Sequence, residues 1–262
     1  MHIKQTVVLI TGGGSGIGAA TARHLASLGA LVALIDCNSD AVNSVANEIH
    51  GLGLVADVTD EEQVAQAIET IQSEWGGLRV LINCAGIAPA KRILGKAGVM
   101  PLSDFQHVLQ VNVIGTFNVL RLAAMAIATA EPLDSDGNRG VIINTASIAA
   151  YEGQIGQAAY SASKAAIVGL TLPAARELAN VGIRVMTIAP GLMKTPLLQA
   201  FPAEVQFSLA QSVNFPKRLG EPNEFARLAA HIIDNDYLNG EVIRVWYFGG
   251  VFILLSVRSI LS

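Results

Sequence analysis

Charge is what this sequence has least of: Asp, Glu, Lys and Arg make up 15% of its 262 residues, while 52% are hydrophobic. An average globular chain carries about 25% charged residues, so a disordered or highly solvated chain is excluded. The net charge of −4 gives no general pull toward nucleic acid or anionic lipid, and neither is expected as a partner. Cysteine is nearly absent. Cys37 and Cys84 have no CxxC or metal-ligand spacing and read as ordinary small thiols. The five histidines form no HxxxH or HExxH pair, so no metal is expected.

Long uncharged runs are also missing. Asn118–Leu120 is cut by Arg121, and Val245–Val257 is 13 residues with two glycines inside it. Both fall short of the ~20 residues of a spanning helix, so no membrane is expected. Met1–Gln5 is polar and leads straight into a strand-like Thr6–Ile10, which leaves no room for a signal or transit segment. The expected compartment is the cytoplasm.

What the chain has in abundance is short Val/Ile/Leu runs, each followed by a helix-length segment. Strand candidates are Val7–Ile10, Leu31–Ile35, Leu52–Ala56, Val80–Asn83, Val141–Asn144, Ile183–Ile188 and Glu241–Val245. Helical patterning covers Gly16–Leu28, Ser39–His50, Asp60–Trp75, Ser103–Ala130, Gln154–Asn180 and Glu221–Ile233. Such alternation predicts βαβ units and an α/β fold. The expected architecture is a Rossmann-type doubly wound parallel sheet of about seven strands with helices on both faces. One domain over residues 1–262 is expected. Residues 195–220, interrupted by Pro196, Pro202 and Pro216, read as a substrate lid. In a sheet of order 3-2-1-4 the two cysteines follow strands separated by another, roughly 9 to 10 Å apart, beyond the ~7 Å reach of a disulfide.

Two features bear chemistry. The first strand ends in Thr11-Gly12-Gly13-Gly14-Ser15-Gly16-Ile17-Gly18, where glycine lets the backbone approach a pyrophosphate at a helix N-terminus. Alone this run equally suits a tight strand-helix turn. Asp36 ends the second strand 24 residues after Gly12, where a carboxylate accepts hydrogen bonds from a ribose diol and repels a 2′-phosphate. No Arg or Lys lies beside it or in the loop, so NAD is expected rather than NADP.

The second feature is Tyr160 and Lys164, four apart and therefore on one helix face. A nearby cation stabilises phenolate, making a general acid/base of a group whose ordinary pKa is about 10. An isolated YxxxK is usually a surface pair. This one is accompanied by Ser147, 13 residues upstream at the end of a strand.

Together these residues resemble the short-chain dehydrogenase/reductase family. Thr11–Gly18 resembles its TGxxxGxG, Asn83-Cys84-Ala85-Gly86 its NNAG, and Tyr160-Ser161-Ala162-Ser163-Lys164 its YxASK. Asn112 matches the structural and proton-relay asparagine, and Pro190-Gly191 with Thr195 matches the segment that meets the nicotinamide carboxamide. Within the family, Phe105–Ala123, Gly140–Leu198 and Phe215–Arg227 look most similar to the type II 3-hydroxyacyl-CoA dehydrogenases, also called type 10 17β-hydroxysteroid dehydrogenases.

The resemblance implies NAD-dependent interconversion of 3-hydroxyacyl-CoA and 3-oxoacyl-CoA. Tyr160 would be the acid/base and Lys164 its pKa-lowering partner, which also holds the nicotinamide ribose. Ser147 would polarise the substrate oxygen and Asn112 would hold a relay water. Gly12, Ser15, Gly16, Ile17, Gly18, Asp36, Asp57, Val58, Asn83, Cys84, Ala85, Gly86, Pro190, Gly191, Met193 and Thr195 would line the cofactor site, with Asp57 at the adenine. Asp57 reads equally as a helix-cap acid. Gln154 is a candidate substrate contact or a plain loop residue, and Lys91, Arg92 and Lys96 form either an attractor for CoA phosphates or a solvated basic loop.

The resemblance stops after Arg244, where Val245–Leu255 is apolar and rich in aromatics. That tail would extend the last strand, pack between subunits of a homotetramer, or reflect an altered reading frame. Two other functions fit the same residues: a hydroxysteroid or other secondary-alcohol dehydrogenase, and an NAD-binding scaffold without turnover.

Overall fold

The computed structural model describes residues 1–96, 98–199, 204, 206, 210, 211, 213 and 215–245. In chain order the strands are β1 (Val7–Thr11), β2 (Leu31–Asp36), β3 (Leu52–Val55), β4 (Val80–Asn83), a small hairpin of β5 (Leu94–Gly95) and β6 (Gly98–Val99), β7 (Gly140–Thr145), β8 (Ile183–Pro190) and β9 (Val242–Val245). Apart from the hairpin they form one parallel sheet of order β3-β2-β1-β4-β7-β8-β9. All seven strand candidates are present, in a Rossmann-type order.

Every residue of β1, β4 and β8 is buried, which is why those strands read as unbroken apolar runs. Side chains alternate between two cores. Leu9, Ala33, Leu81 and Ile142 face α3 (Glu61–Trp75), α5 (Thr116–Ala128) and α7 (Ala158–Ala179). Ile10, Leu34, Ile82 and Ile143 face α1 (Gly16–Ser27), α2 (Ser39–Ile49) and α9 (Pro222–Asp234), where Phe225 is fully buried. Helix starts follow the local chemistry: Asn38 accepts from Ala41 N and Asp60 from Gln63 N, each at 3.0 Å.

Three expectations need correction. The helix read as Gln154–Asn180 starts only at Ala158 as α7, because residues 153–157 form a loop, and a short α6 (Ala149–Glu152) precedes that loop. Within that loop Gln154 N donates to Gln157 Oε1 and Gly156 has φ +87°. The helix read as Ser103–Ala130 comprises α4 (Leu102–Leu109) and α5 joined by a π-helical turn, Gln110–Gly115. Together they form a stretch, Leu102–Ala128, that is long and apolar enough by length and composition to cross a membrane, contrary to the reading by uncharged runs. Roughly half of it is buried: Val119, Leu120, Ala123, Ala124 and Ile127 join the core against the sheet, whereas Phe117 and Met125 are exposed.

Both cysteines are free thiols. Of the lid region, α8 (Pro196–Gln199) is described, whereas most of residues 200–214, and the apolar tail from residue 246, lie outside the described residues.

Candidate active site

The carboxyl ends of β1, β2, β4, β7 and β8 carry nearly all the residues singled out above. After β1 the chain turns at Gly12, φ +64°, so close to the neighbouring segment that a Cβ there would lie 2.8 Å from Ala85 N. A Cβ on Gly18 would lie 2.2 Å from Gly12 O. Only glycine fits the second position without moving backbone. Thr11 Oγ1 accepts from both Cys84 N and Ala85 N at 3.1 Å, fixing the β4 turn against the loop.

Asp36 ends β2 and points its carboxylate at this loop: Oδ2 accepts from Gly14 N and Oδ1 from Asn38 N, each at 3.0 Å. Helix α1 opens with no acid in its first turn and no side-chain bond from Ser15. Its leading N–H groups and dipole are therefore available to an anion. A backbone cradle that a Cβ would fill, a helix N-terminus without its own cap and a carboxylate at the tip of β2 together fit a dinucleotide. Thr195 lies over the loop, its Cβ 3.6 Å from where a Gly16 Cβ would stand, and Met193 is bridged to Gly220. Asp57 accepts from Thr59 N and Thr59 Oγ1 at 2.8 and 2.9 Å, while Asn118 Nδ2 holds Val58 O at 2.9 Å. Asp60, not Asp57, caps α3.

The second cluster joins β7 to α7. Tyr160 lies near enough to Ser147 for that hydroxyl to pull its pKa down, and Ser147 Oγ accepts from Ala149 N at 3.1 Å. Lys164 is buried beneath, with Nζ 5.8 Å from the Tyr160 ring centroid and donating to Thr145 O at 2.8 Å. Burial pushes its pKa down to about 8. The same burial pushes the Tyr160 phenol up, against the pull of the Ser147 hydroxyl. The lowering expected from Lys164 does not enter: loss of solvent dominates, and the Ser147 hydroxyl alone opposes it. Cys84, beside Thr145, is pushed up to about 12 by burial and remains a neutral thiol.

Asn112 sits in the π turn with its side chain fully engaged. Oδ1 accepts from Ile87 N at 2.8 Å, and Nδ2 donates to Ile87 O at 2.9 Å and to Ser163 Oγ at 3.0 Å. A relay water expected there finds no free side-chain hydrogen. Ser163, Thr11 and the Thr145 carbonyl escaped the sequence reading as contributors. For Ser163 and Thr11 the signal was their place inside the quoted motifs; a main-chain oxygen carries none.

A cleft of about 420 Å³ opens between the 91–95 segment and the 153–157 loop, lined by Arg92, Ile93, Leu94, Gln154, Ile155 and Ser161 but by none of Ser147, Tyr160 and Lys164. Of the basic residues there, Lys91 pairs with Asp104, Arg92 faces the cleft and Lys96 is exposed on the hairpin turn.

Similarity to known proteins identifies the family. Residues 6–206 match the family described as short chain dehydrogenase. The chain is 52% identical to 3-hydroxyacyl-CoA dehydrogenase type-2 of Drosophila melanogaster over 247 residues, covering 93% of this chain and 96% of that protein. It is also 52% identical to the Homo sapiens protein of the same name over 248 residues, covering 93% and 94%. The crystal structure of 3-hydroxyacyl-CoA dehydrogenase type-2 from Mycobacterium avium superposes with a TM-score of 0.88 at 41% identity, covering 93% of this chain and 96% of that one. A matching dinucleotide cradle, a Tyr-Lys-Ser cluster at the sheet's carboxyl edge and this degree of identity make one conclusion: the chain is an oxidoreductase of the short-chain dehydrogenase family.

Proposed function

We propose that the chain interconverts 3-hydroxyacyl-CoA and 3-oxoacyl-CoA, using NAD as its nicotinamide cofactor. The observation that carries this reading is the placing of Tyr160 and Ser147 over buried Lys164, whose Nζ lies 5.8 Å from the Tyr160 ring centroid and donates to Thr145 O at 2.8 Å. A nicotinamide bound in the glycine-loop cradle would supply the hydride chemistry at the alcohol or ketone carbon. Ser147 holds the substrate oxygen by its hydroxyl. Tyr160 takes the hydroxyl proton in oxidation and returns it in reduction. Lys164, protonated below about pH 8, places a positive charge beneath the phenol. Asn112 clamps Ile87 to α7 and so keeps the β4 turn and Tyr160 in register.

The preference for NAD over NADP rests on Asp36, whose carboxylate stands at the tip of β2 where a 2′-phosphate would be repelled. Ser15, Ile17, Asp57, Val58, Gly86, Pro190, Gly191, Met193 and Thr195 belong to the same proposed cofactor wall, and Gln154 to the substrate cleft. We also propose a homotetramer, supported by the exposed apolar side chains of Phe117, Met125 and Leu172 on α5 and α7. The cytoplasm is the proposed compartment, in keeping with two free thiols.

The test is acetoacetyl-CoA reduction followed by NADH absorbance, run beside NADPH and a panel of steroid ketones. Saturable turnover with acetoacetyl-CoA and NADH is expected. A steroid turned over far better than acetoacetyl-CoA would transfer the assignment to hydroxysteroids, and NADH binding without any turnover would leave a scaffold.

A further inference from the structure

Ser163 stands three residues after Tyr160 and one before Lys164, and no atom of it reaches the proposed reacting groups directly. Its residue is fully buried. Its hydroxyl accepts from Asn112 Nδ2 at 3.0 Å and donates to Tyr160 O at 2.7 Å. The single Ser163 hydrogen is therefore committed to the helix, and one Ser163 lone pair to the π turn. Asn112 is committed in turn: its second Nδ2 hydrogen goes to Ile87 O and its Oδ1 to Ile87 N. A Cβ on Gly86, just before Ile87, would lie 3.1 Å from Asn112 Oδ1 and 3.6 Å from Lys164 Nζ. Three segments thus meet at one hydroxyl: the turn after β4, the π turn and the first turn of α7.

We propose that Ser163 is a positioning residue that sets the proton-transfer geometry of Tyr160 through Asn112 and the Tyr160 carbonyl. The assignment rests on the reading of Tyr160 as the acid/base. A hydroxyl at this point does what a methyl cannot. It ties the main chain of the acid/base residue to an amide anchored in a different element, so Tyr160 cannot shift along the sheet edge without breaking the Asn112 clamp. Removing it strands one Asn112 N–H in a buried place and releases the Tyr160 carbonyl from the π turn. The cofactor cradle at Gly12–Gly18 and Asp36 shares none of these bonds, so its affinity has no reason to change.

The experiment compares the unaltered chain with Ser163→Ala, Asn112→Ala and the double variant, measuring kcat, KM for NADH and the pH dependence of acetoacetyl-CoA reduction. For Ser163→Ala the expected result is a fall in kcat on the order of tenfold to a hundredfold, a displaced pH midpoint and an NADH KM like that of the unaltered chain. In the Asn112→Ala background the same change should cost nothing further, because the two act as one unit. Unchanged kcat and pH midpoint in Ser163→Ala overturn the assignment, as do losses that multiply independently in the double variant. An unaltered chain that binds NADH but reduces neither acetoacetyl-CoA nor any other ketone refutes the Tyr160 reading itself, and this assignment with it.

Discussion

Lys164 Nζ donates a 2.8 Å hydrogen bond to the main-chain oxygen of Thr145, the last residue of β7, two residues before Ser147. The ammonium is thereby docked onto the strand that delivers the substrate-orienting hydroxyl, rather than onto the tyrosine ring above it. Helix α7 and strand β7 are joined by a charge-assisted bond at the point where the proposed chemistry needs their separation fixed.

That bond has a thermodynamic signature. Burial lowers the Lys164 pKa from 10.5 to about 8, so between those values the unfolded chain binds more protons than the folded one. Stability should rise with pH across that window and carry the full cost of the buried ammonium below about pH 8. Lys164→Met removes the charge. It should be more stable than the parent at pH 7, on the order of 1–3 kcal/mol, with the difference shrinking as pH approaches 10.5. Urea unfolding across this range provides the check, and parallel curves for the two proteins would contradict the linkage.

Tyr160→Phe deletes the hydroxyl while keeping the ring. Turnover should fall by at least ~100-fold, the scale of a lost general acid/base, while NADH binding by fluorescence titration stays close to that of the parent. In the intact chain, burial raises the phenol, so the ionised form needed for alcohol oxidation is scarce at neutral pH and grows with every step toward alkaline pH. Oxidation should accelerate with rising pH, and reduction, which needs the phenol, should not. Substantial activity in Tyr160→Phe would dismiss the assigned acid/base.

Asp36 performs two tasks that one substitution separates poorly but measurably. Its carboxylate faces the proposed ribose site and also accepts Gly14 N and Asn38 N. Asp36→Ala should weaken NADH binding through the loosened loop and narrow the gap between NADH and NADPH by removing the repulsion. Asp36→Asn, which keeps an acceptor oxygen, should preserve more of the loop while still narrowing the gap. An unchanged ratio of kcat/KM for the two cofactors in both variants would discard the ribose role.

The residues just discussed differ in how far the sequence reveals them. The strands were legible because a parallel sheet covered on both faces leaves runs such as Val80–Asn83 with no polar side to show. Asp36 was legible because its distance from the glycine loop is set by one strand-helix-strand passage. The π turn at Gln110–Gly115 was not: one extra residue in a helical turn leaves apolar periodicity almost intact. Thr145 escaped because its contribution is a carbonyl, which every residue possesses. The 153–157 break was masked by helix-compatible alanines after it, and only the αL-type Gly156 and the Gln154–Gln157 bond stop the helix from starting earlier.

Two glycine substitutions separate a required absence of Cβ from an incidental one. Gly18 faces Gly12 so closely that an added Cβ would lie 2.2 Å from its O and 2.8 Å from its C, backbone atoms that cannot rotate out of reach. Gly18→Ala must therefore displace α1 from the loop, lowering stability by about 1–3 kcal/mol and weakening NADH binding. Gly169, inside α7, has nothing within 4 Å of the corresponding position. There a methyl group meets open space and reduces the freedom of the unfolded chain, so Gly169→Ala should raise stability by roughly 0.5–1 kcal/mol with NADH binding unaltered. Thermal unfolding and NADH titration of the two variants provide the comparison. A Gly18→Ala protein that binds NADH as tightly as Gly169→Ala does would mean that the close approach of α1 to Gly12 is not what shapes the phosphate cradle.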